Sequence, residues 1–214
     1  MPSSATSDSQ RDPAYGWVMV FVVFTLTALA FGAMGSISVF LKPLAAEFGW
    51  SRGATAMGYT ATSFASAIAG VFWGYVADRV GTRWFGLVGA FAMAVSLWLL
   101  SKQTSLTHFY ALYFLYGALG NAFVSSPLYA NVGFWFHTNP GLAMGVTAAG
   151  GAFGQGLVPY LVGMIIDTEG WRAAYVAMAW SYLAIALPLA LLIRESPSRT
   201  QARTTPSSPP PDAP

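Results

Sequence analysis

Cysteine is absent from all 214 residues, which excludes a disulfide framework, a thiolate nucleophile and a Cys-ligated metal, and leaves the redox compartment open. Charge is almost as scarce. The 10 Lys+Arg and 8 Asp+Glu make up 8% of the chain, against about a quarter in an ordinary soluble domain. So few charges cannot clothe a globule of this size, so the composition argues against a water-soluble enzyme. A net charge of +2 without a basic run argues against a nucleic-acid partner. What the chain has instead is 55% apolar residues, 15% aromatics and 22 glycines. These are the proportions of an integral membrane protein, whose first partner is the lipid bilayer.

The positions of the few charges define the organisation. None occurs from Pro13 to Leu41, Gly53 to Ala77, Trp84 to Ser101, Gln103 to Ile166 or Ala173 to Ile193. A helix needs roughly 20 apolar residues to cross the hydrocarbon. The Gln103–Ile166 stretch fits two crossings, broken at His137-Thr138-Asn139-Pro140-Gly141, a turn with proline at the next helix's start. Six crossings are predicted near Gly16–Leu41, Arg52–Ala77, Trp84–Ser101, His108–Phe136, Gly141–Ile166 and Trp171–Ile193. The first is too long for the roughly 7–15-residue core of a signal peptide, and none alternates as barrel strands would.

An even number of crossings puts both termini on one side. Arg11, Arg79, Arg83, Arg194, Arg199 and Arg203 then share the cytoplasmic side, against Lys42, Arg52, Lys102 and Arg172 outside, a positive-inside bias. Trp17, Trp50, Trp84, Trp135 and Trp171 lie near segment ends, where an aromatic belt belongs. The expected localisation is the cell (plasma or inner) membrane, multi-pass, with both termini cytoplasmic. Residues 1–14 form a polar tail and 196–214 a Pro/Ser/Thr-rich one, both too poor in apolar surface to order themselves. Residues 15–195 form the transmembrane domain.

Between the second and third segments runs Gly74-Tyr75-Val76-Ala77-Asp78-Arg79-Val80-Gly81-Thr82-Arg83. It resembles the cytoplasmic signature of the major facilitator superfamily, Gly-x-x-x-Asp-Arg-x-Gly-x-Arg, in the loop where that signature belongs. Gly74, Asp78, Arg79, Gly81 and Arg83 are its gating-motif positions, where glycines allow close approach and a tight reversal and the charges can pair as a latch. Positive-inside determinants alone would need neither Asp78 nor the glycines. Gly16-Trp17, the run Ser38-Val39-Phe40-Leu41-Lys42-Pro43-Leu44 into Glu47-Phe48-Gly49-Trp50-Ser51-Arg52, Trp135-Phe136, Gly141-Leu142-Ala143-Met144-Gly145 and Gly170-Trp171-Arg172-Ala173-Ala174-Tyr175 resemble the monocarboxylate transporter branch.

That resemblance implies an all-α integral membrane fold of twelve helices in two halves, each a 3+3 inverted repeat, with this chain matching the first half. It also implies alternating access, small organic anions as substrates, often with a coupled proton, and a second six-helix half or another copy as partner. The tail 196–214 resembles the branch's central cytoplasmic linker. Two features depart from the branch. Asn139-Pro140 stands where a basic pair is usual, and Gly35 where animal members carry a substrate-linked lysine.

Every predicted membrane interior lacks Asp, Glu, Lys and Arg, so nothing here can neutralise an anion or carry a proton at mid-depth. No cofactor, metal or catalytic group is expected. Polar residues still form stripes: Tyr113, Gly117, Asn121, Ser125 and Tyr129 on the fourth segment, and Thr147, Gly151 and Gln155 on the fifth. Asn121, Ser125, Tyr129 and Gln155 are candidate substrate-binding residues, with Phe31 and Gly35 added by family analogy. The competing assignment, slightly favoured for either carboxamide taken alone, is hydrogen-bonded glue between helices.

A small-residue stripe, Gly58, Thr62, Ser66 and Gly70, joined by Gly141, Gly145 and Ala149, is the expected half–half interface, with packing inside the unit as the alternative. The function expected is thus the amino-terminal half of a secondary transporter for small organic anions, inactive alone. The alternative is a truncated or split-gene membrane scaffold with a structural or regulatory role. An intramembrane enzyme is set aside for want of a nucleophile paired with a base at depth.

Overall fold

Long apolar runs without internal charge must satisfy their backbone within each segment, which in lipid means helices. The computed structural model describes residues 14–80, 83–136, 138–194 and 196. Among these residues all regular structure is helical. The first rod is α1 (Ala14–Gly35) and α2 (Ile37–Phe48), joined at Ser36. Next come α3 (Arg52–Val80) and α4 (Arg83–Leu100). The fourth rod is α5 (Leu106–Leu115), a π-helical stretch at Tyr116–Asn121, and α6 (Ala122–Gly133). The fifth is α7 (Pro140–Glu169). The sixth is α8 (Trp171–Ser181), a second π-helical stretch at Tyr182–Ala186, and α9 (Leu187–Leu191).

Ala14–Phe48, Pro140–Glu169 and Trp171–Leu191 are each long and apolar enough to cross a membrane unaided, and Trp84–Leu100 is a shorter apolar helix. The first and fifth rods overrun the predicted segments, reaching Phe48 and Glu169 rather than Leu41 and Ile166. Lys42, Glu47, Asp167 and Glu169 sit on these extensions, where helix continues beyond the charge-free stretch. The tails 1–13 and 197–214 lie outside the described residues.

The rods run alternately up and down. At one end, the Tyr15 hydroxyl donates to the Leu192 carbonyl at 2.7 Å, and the Arg194 guanidinium lies 4.8 Å from the Tyr15 ring centre. Buried Asn131 donates to the Arg194 carbonyl at 2.8 Å and accepts from the Ser196 amide at 3.3 Å. At the other end, Trp50 meets Phe109 and Phe48 meets Trp171. The start of rod one and the end of rod six therefore share a side, as an even count of rods requires.

Packing replaces hydrophobic drive in lipid, so small residues decide which rods touch most closely. Rod one packs chiefly on rod five and rod two on rod four, while rod three packs about equally on rods four and six. Exchanging the first three rods for the last three maps the one–five, two–four and three–six contacts onto one another, as a three-plus-three repeat predicts. The rod three–rod four contact, however, has no equal counterpart between rods six and one. The tightest seam lies between α1 and α7. A Cβ added at Gly150 would strike the Phe24 carbonyl, and one at Gly154 the Ala28 carbonyl. Opposite them, Gly32 faces Val158 and the Gly154 backbone with no room to spare.

Gly117 in the fourth rod's π-helical stretch meets the Thr62 carbonyl in the same way. There Thr62 donates to the Tyr113 carbonyl and Ser66 to the Gly117 carbonyl, each at 3.1 Å. The bundle centre is closed by four fully buried tyrosines. The Tyr113 and Tyr175 hydroxyls lie 3.0 Å apart, those of Tyr116 and Tyr182 lie 3.2 Å apart, and Tyr116 also donates to the Ala30 carbonyl at 2.8 Å.

The seam gives a direct test. Gly154→Ala drives a methyl into the α1 backbone and is expected to destabilise the bundle by about 1–3 kcal/mol. Gly156→Ala, whose added carbon meets nothing within 4 Å, should be neutral within about 0.5 kcal/mol. Thermal midpoints of the two variants in detergent check this, and equal midpoints would contradict the seam.

Candidate functional site

At the junction of α1 and α2, Ser36 turns its hydroxyl back onto the Gly32 carbonyl at 2.8 Å. Such back-bonding bends helices. Just beside the bend, Gly35 has no side chain, and a Cβ there would sit 3.4 Å from Cγ of Gln155. A cavity of about 410 Å³ opens here, lined by Gly35, Ser38 and Leu41 of the first rod, Ala56 and Tyr59 of α3, and Gln155 and Pro159 of α7. Pro159 lies inside α7 and has no N–H to give the carbonyl four residues earlier, which is that of Gln155. The Gln155 position thus carries a side-chain amide and a backbone carbonyl without its α-helical donor.

The cavity wall can donate and accept hydrogen bonds through Gln155, Ser38 and Tyr59, but nothing on it is charged. It can orient a small polar molecule. It cannot balance a net charge.

The structure brings Gly35 and Gln155 together and scatters the other candidates. Phe31 lies one turn before Gly35 with its ring over Gly151. Asn121 is buried, and its amide donates to the Ser66 hydroxyl at 3.1 Å, across to α3. Half-buried Tyr129 reaches the Thr147 carbonyl at 3.5 Å, toward α7. The side chain of Ser125 lies outside the described residues.

The every-fourth stripe on rod four therefore does not form one wall. Each step of four overshoots a 3.6-residue turn by about 40° in an α-helix. The wider π turn at Tyr116–Asn121 shifts the register again. Its members consequently serve contacts to α8, α3 and α7 in turn. Tyr59, Ser38 and Pro159 are cavity residues that the sequence reading did not select. A proline four residues after an intramembrane glutamine was the available signal.

The small-residue stripes also part company. Gly58 is buried against Phe109 and Tyr113, Thr62 is buried, and Ser66 bonds inward. These three pack rod two on rod four, the alternative assignment, with Gly58 and Thr62 buried there and Ser66 half-buried. Gly70 and Gly74 are half-buried farther along α3. On α7, by contrast, Gly141, Gly145 and Ala149 are exposed, and a Cβ at either glycine meets nothing within 4 Å.

Of the loop motif, exposed Arg79 holds its guanidinium 4.3 Å from the Tyr75 ring centre, a cation–π contact. Behind it, Trp73 donates to the Ala118 carbonyl at 2.8 Å, and Ala77 and Phe85 form a small buried cluster. Gly81 and the side chains of Asp78 and Arg83 lie outside the described residues.

At the opposite end, a charged bracket ties rod one to rod six. Arg172 donates to both oxygens of Glu47 at 2.9 and 2.6 Å, and Trp171 Nε1 donates to the same carboxylate at 2.7 Å. Gly49 and Gly170, the only described residues with positive φ (68° and 87°), end the helices beside it. The sequence runs Glu47–Arg52 and Gly170–Tyr175, far apart in the chain, meet here.

A family model described as Major Facilitator Superfamily matches residues 23–213. The chain belongs to the Major Facilitator Superfamily. It is therefore a multi-pass membrane protein, and its all-α bundle corresponds to half of the superfamily fold. Riboflavin transporter RibJ of Trypanosoma brucei brucei is 28% identical over 174 residues, covering 78% of this chain and 31% of the relative. Monocarboxylate transporter 12-B of Danio rerio is 26% identical over 181 residues, covering 85% of this chain and 38% of the relative. Multidrug resistance protein MdtG of Escherichia coli O81 is 28% identical over 181 residues, covering 79% and 43% respectively. The chain thus spans less than half the length of these superfamily relatives.

Glue and substrate contact are separable at Asn121. Asn121→Ala and Ser66→Ala are each expected to lower the thermal midpoint, with a double-mutant coupling on the order of 0.6 kcal/mol. A coupling of zero would dissolve the interhelical assignment.

Proposed function

We propose that this chain supplies the first six helices of a secondary transporter for small organic anions, monocarboxylate-like in class, that works by alternating access. It is inactive without a second six-helix half. One juxtaposition carries the reading. Gly141, Gly145, Gln155 and Pro159 fall on one face of α7 by helical period, so the hydrogen-bonding cavity opens on the same face as the bare glycines. A face that combines a polar hollow with small residues suits close apposition of another helical unit across the cavity. The charge that an anion requires would then come from that unit.

The relatives named as monocarboxylate transporters support the substrate class, and a proton is the coupling partner the resemblance implies. Both termini face the cytoplasm in this reading, in a plasma or inner membrane, with Arg79 and Arg194 on the inner side. The loop bearing Gly74, Asp78, Arg79, Gly81 and Arg83 acts as the inner latch between conformations. The chain works as a transporter, not as an enzyme. A second reading, a membrane scaffold without transport of its own, is favoured by the uncharged cavity wall.

Reconstitution in proteoliposomes separates the two. The chain alone should give no uptake of labelled monocarboxylate above empty vesicles, and co-reconstitution with a polypeptide carrying the other six helices should restore it. Riboflavin serves as the competing substrate. Uptake by the chain alone would refute the half-transporter reading, and no uptake with any second half would favour the scaffold. In the restored system, Gln155→Leu should raise KM about tenfold, the cost of roughly one hydrogen bond to a charged group. Gly145→Cys should cross-link to the second half in the membrane. An unchanged KM or an uncross-linked Gly145→Cys would remove the cavity or the interface from the proposal.

A further inference from the structure

Away from the proposed cavity, the short connection between rods three and four builds a second polar hollow. It encloses about 280 Å³ between Leu99, Lys102, Gln103, His108, Ala111 and Leu112. Gln103 is 1% exposed, yet neither Nε2 nor Oε1 of its amide has a hydrogen-bond partner. Buried amides are nearly always satisfied, and an orphan in a native fold marks a missing partner. Lys102 and His108 are both exposed at the rim, and no carboxylate lines the hollow. The donor set therefore suits a phosphate oxygen.

Directly along α4 lies an apolar groove of about 250 Å³, formed by Phe91, Ala94, Val95 and Trp98 with Ala179, Trp180 and Leu183 of the sixth rod. Val95 of the groove and Leu99 of the hollow stand at i and i+4 on α4, and Lys102 follows in the turn past its end, so groove and hollow adjoin. From Phe91 to the helix end at Leu100 is nine residues, roughly 14 Å at 1.5 Å each, with Lys102 in the turn just beyond. That is about half of a ~30 Å hydrocarbon core, the depth one leaflet's acyl chain occupies.

We propose that this polar hollow and groove together hold one phospholipid, with its phosphate against Lys102, His108 and the Gln103 amide and one acyl chain along Val95, Trp98 and Trp180. The site lies in the leaflet opposite the one that holds the start of rod one and the end of rod six. It shares no lining residue with the substrate cavity, which is formed by rods one, two and five.

Native mass spectrometry of the detergent-solubilised 214-residue chain tests this with three probes: phosphatidylglycerol, diacylglycerol of the same chains, and glycerol 3-phosphate. One phosphatidylglycerol should be retained about tenfold more tightly than either fragment. Lys102→Ala with His108→Ala should cut that retention about tenfold, and Trp180→Ala should weaken it several-fold. Equal retention of glycerol 3-phosphate would make this a free-anion site, and equal retention of diacylglycerol a mere chain slot; either overturns the proposal. So would unchanged retention in the Lys102/His108 variant. Should that variant fail to fold, Gln103→Leu decides. Removing an orphaned amide should raise the thermal midpoint while lowering phosphatidylglycerol retention, whereas a purely structural Gln103 would leave retention unchanged.

Discussion

The close approach of α1 and α7 is the constraint on which the rest depends. Two glycines one turn apart, Gly150 and Gly154, bring the α7 backbone against the carbonyls of Phe24 and Ala28. In a bilayer the lipid tails are as apolar as any leucine, so burial alone cannot choose partners and contact area must. Once this seam is closed, the bend at Ser36 and the gap at Gly35 fall opposite Gln155, and the cavity follows. The same physics acts between α3 and the fourth rod, where Gly117 admits the Thr62 carbonyl.

The two ends of the bundle are held by different chemistry. At the end carrying both chain exits, Asn131 uses both ends of its amide on the backbone of Arg194 and Ser196, and Tyr15 closes onto Leu192. At the other end a bidentate Glu47–Arg172 pair stands beside an aromatic cluster of Phe48, Trp50 and Trp171. The pair is solvent-exposed, with 38% and 50% side-chain exposure, so it registers the ends of rods one and six more than it stabilises them. Neutral amide contacts at one end and a charged fork at the other give the two faces unlike responses to any motion of the rods.

Between them the interior is polar without being charged. Four buried tyrosines, with Thr62, Ser66 and Asn121, form hydrogen bonds between rods onto neighbouring carbonyls or hydroxyls. Such a network fixes register inside the half while leaving the cavity wall neutral. A transporter built from two such halves can place its charges wholly in one and keep the other as scaffold and hydrogen-bonding wall. The uncharged lining at Gln155, Ser38 and Tyr59 fits that division.

The sequence by itself determined the class of molecule, because charge avoidance over some twenty residues is a property of composition in order and needs no tertiary contact. It also determined the family, through Gly74–Arg83 and the runs around Trp50 and Trp171, and it picked out Gly35 and Gln155. Only the tertiary structure decided what each polar or small residue faces. A helical period tells which residues share a side, but the π turns at Tyr116 and Tyr182 alter that period locally. Which side meets a neighbour depends on the packing of all six rods. Hence Gly58, Thr62 and Ser66 turn inward while Gly141 and Gly145, of the same residue type and spacing, stay bare.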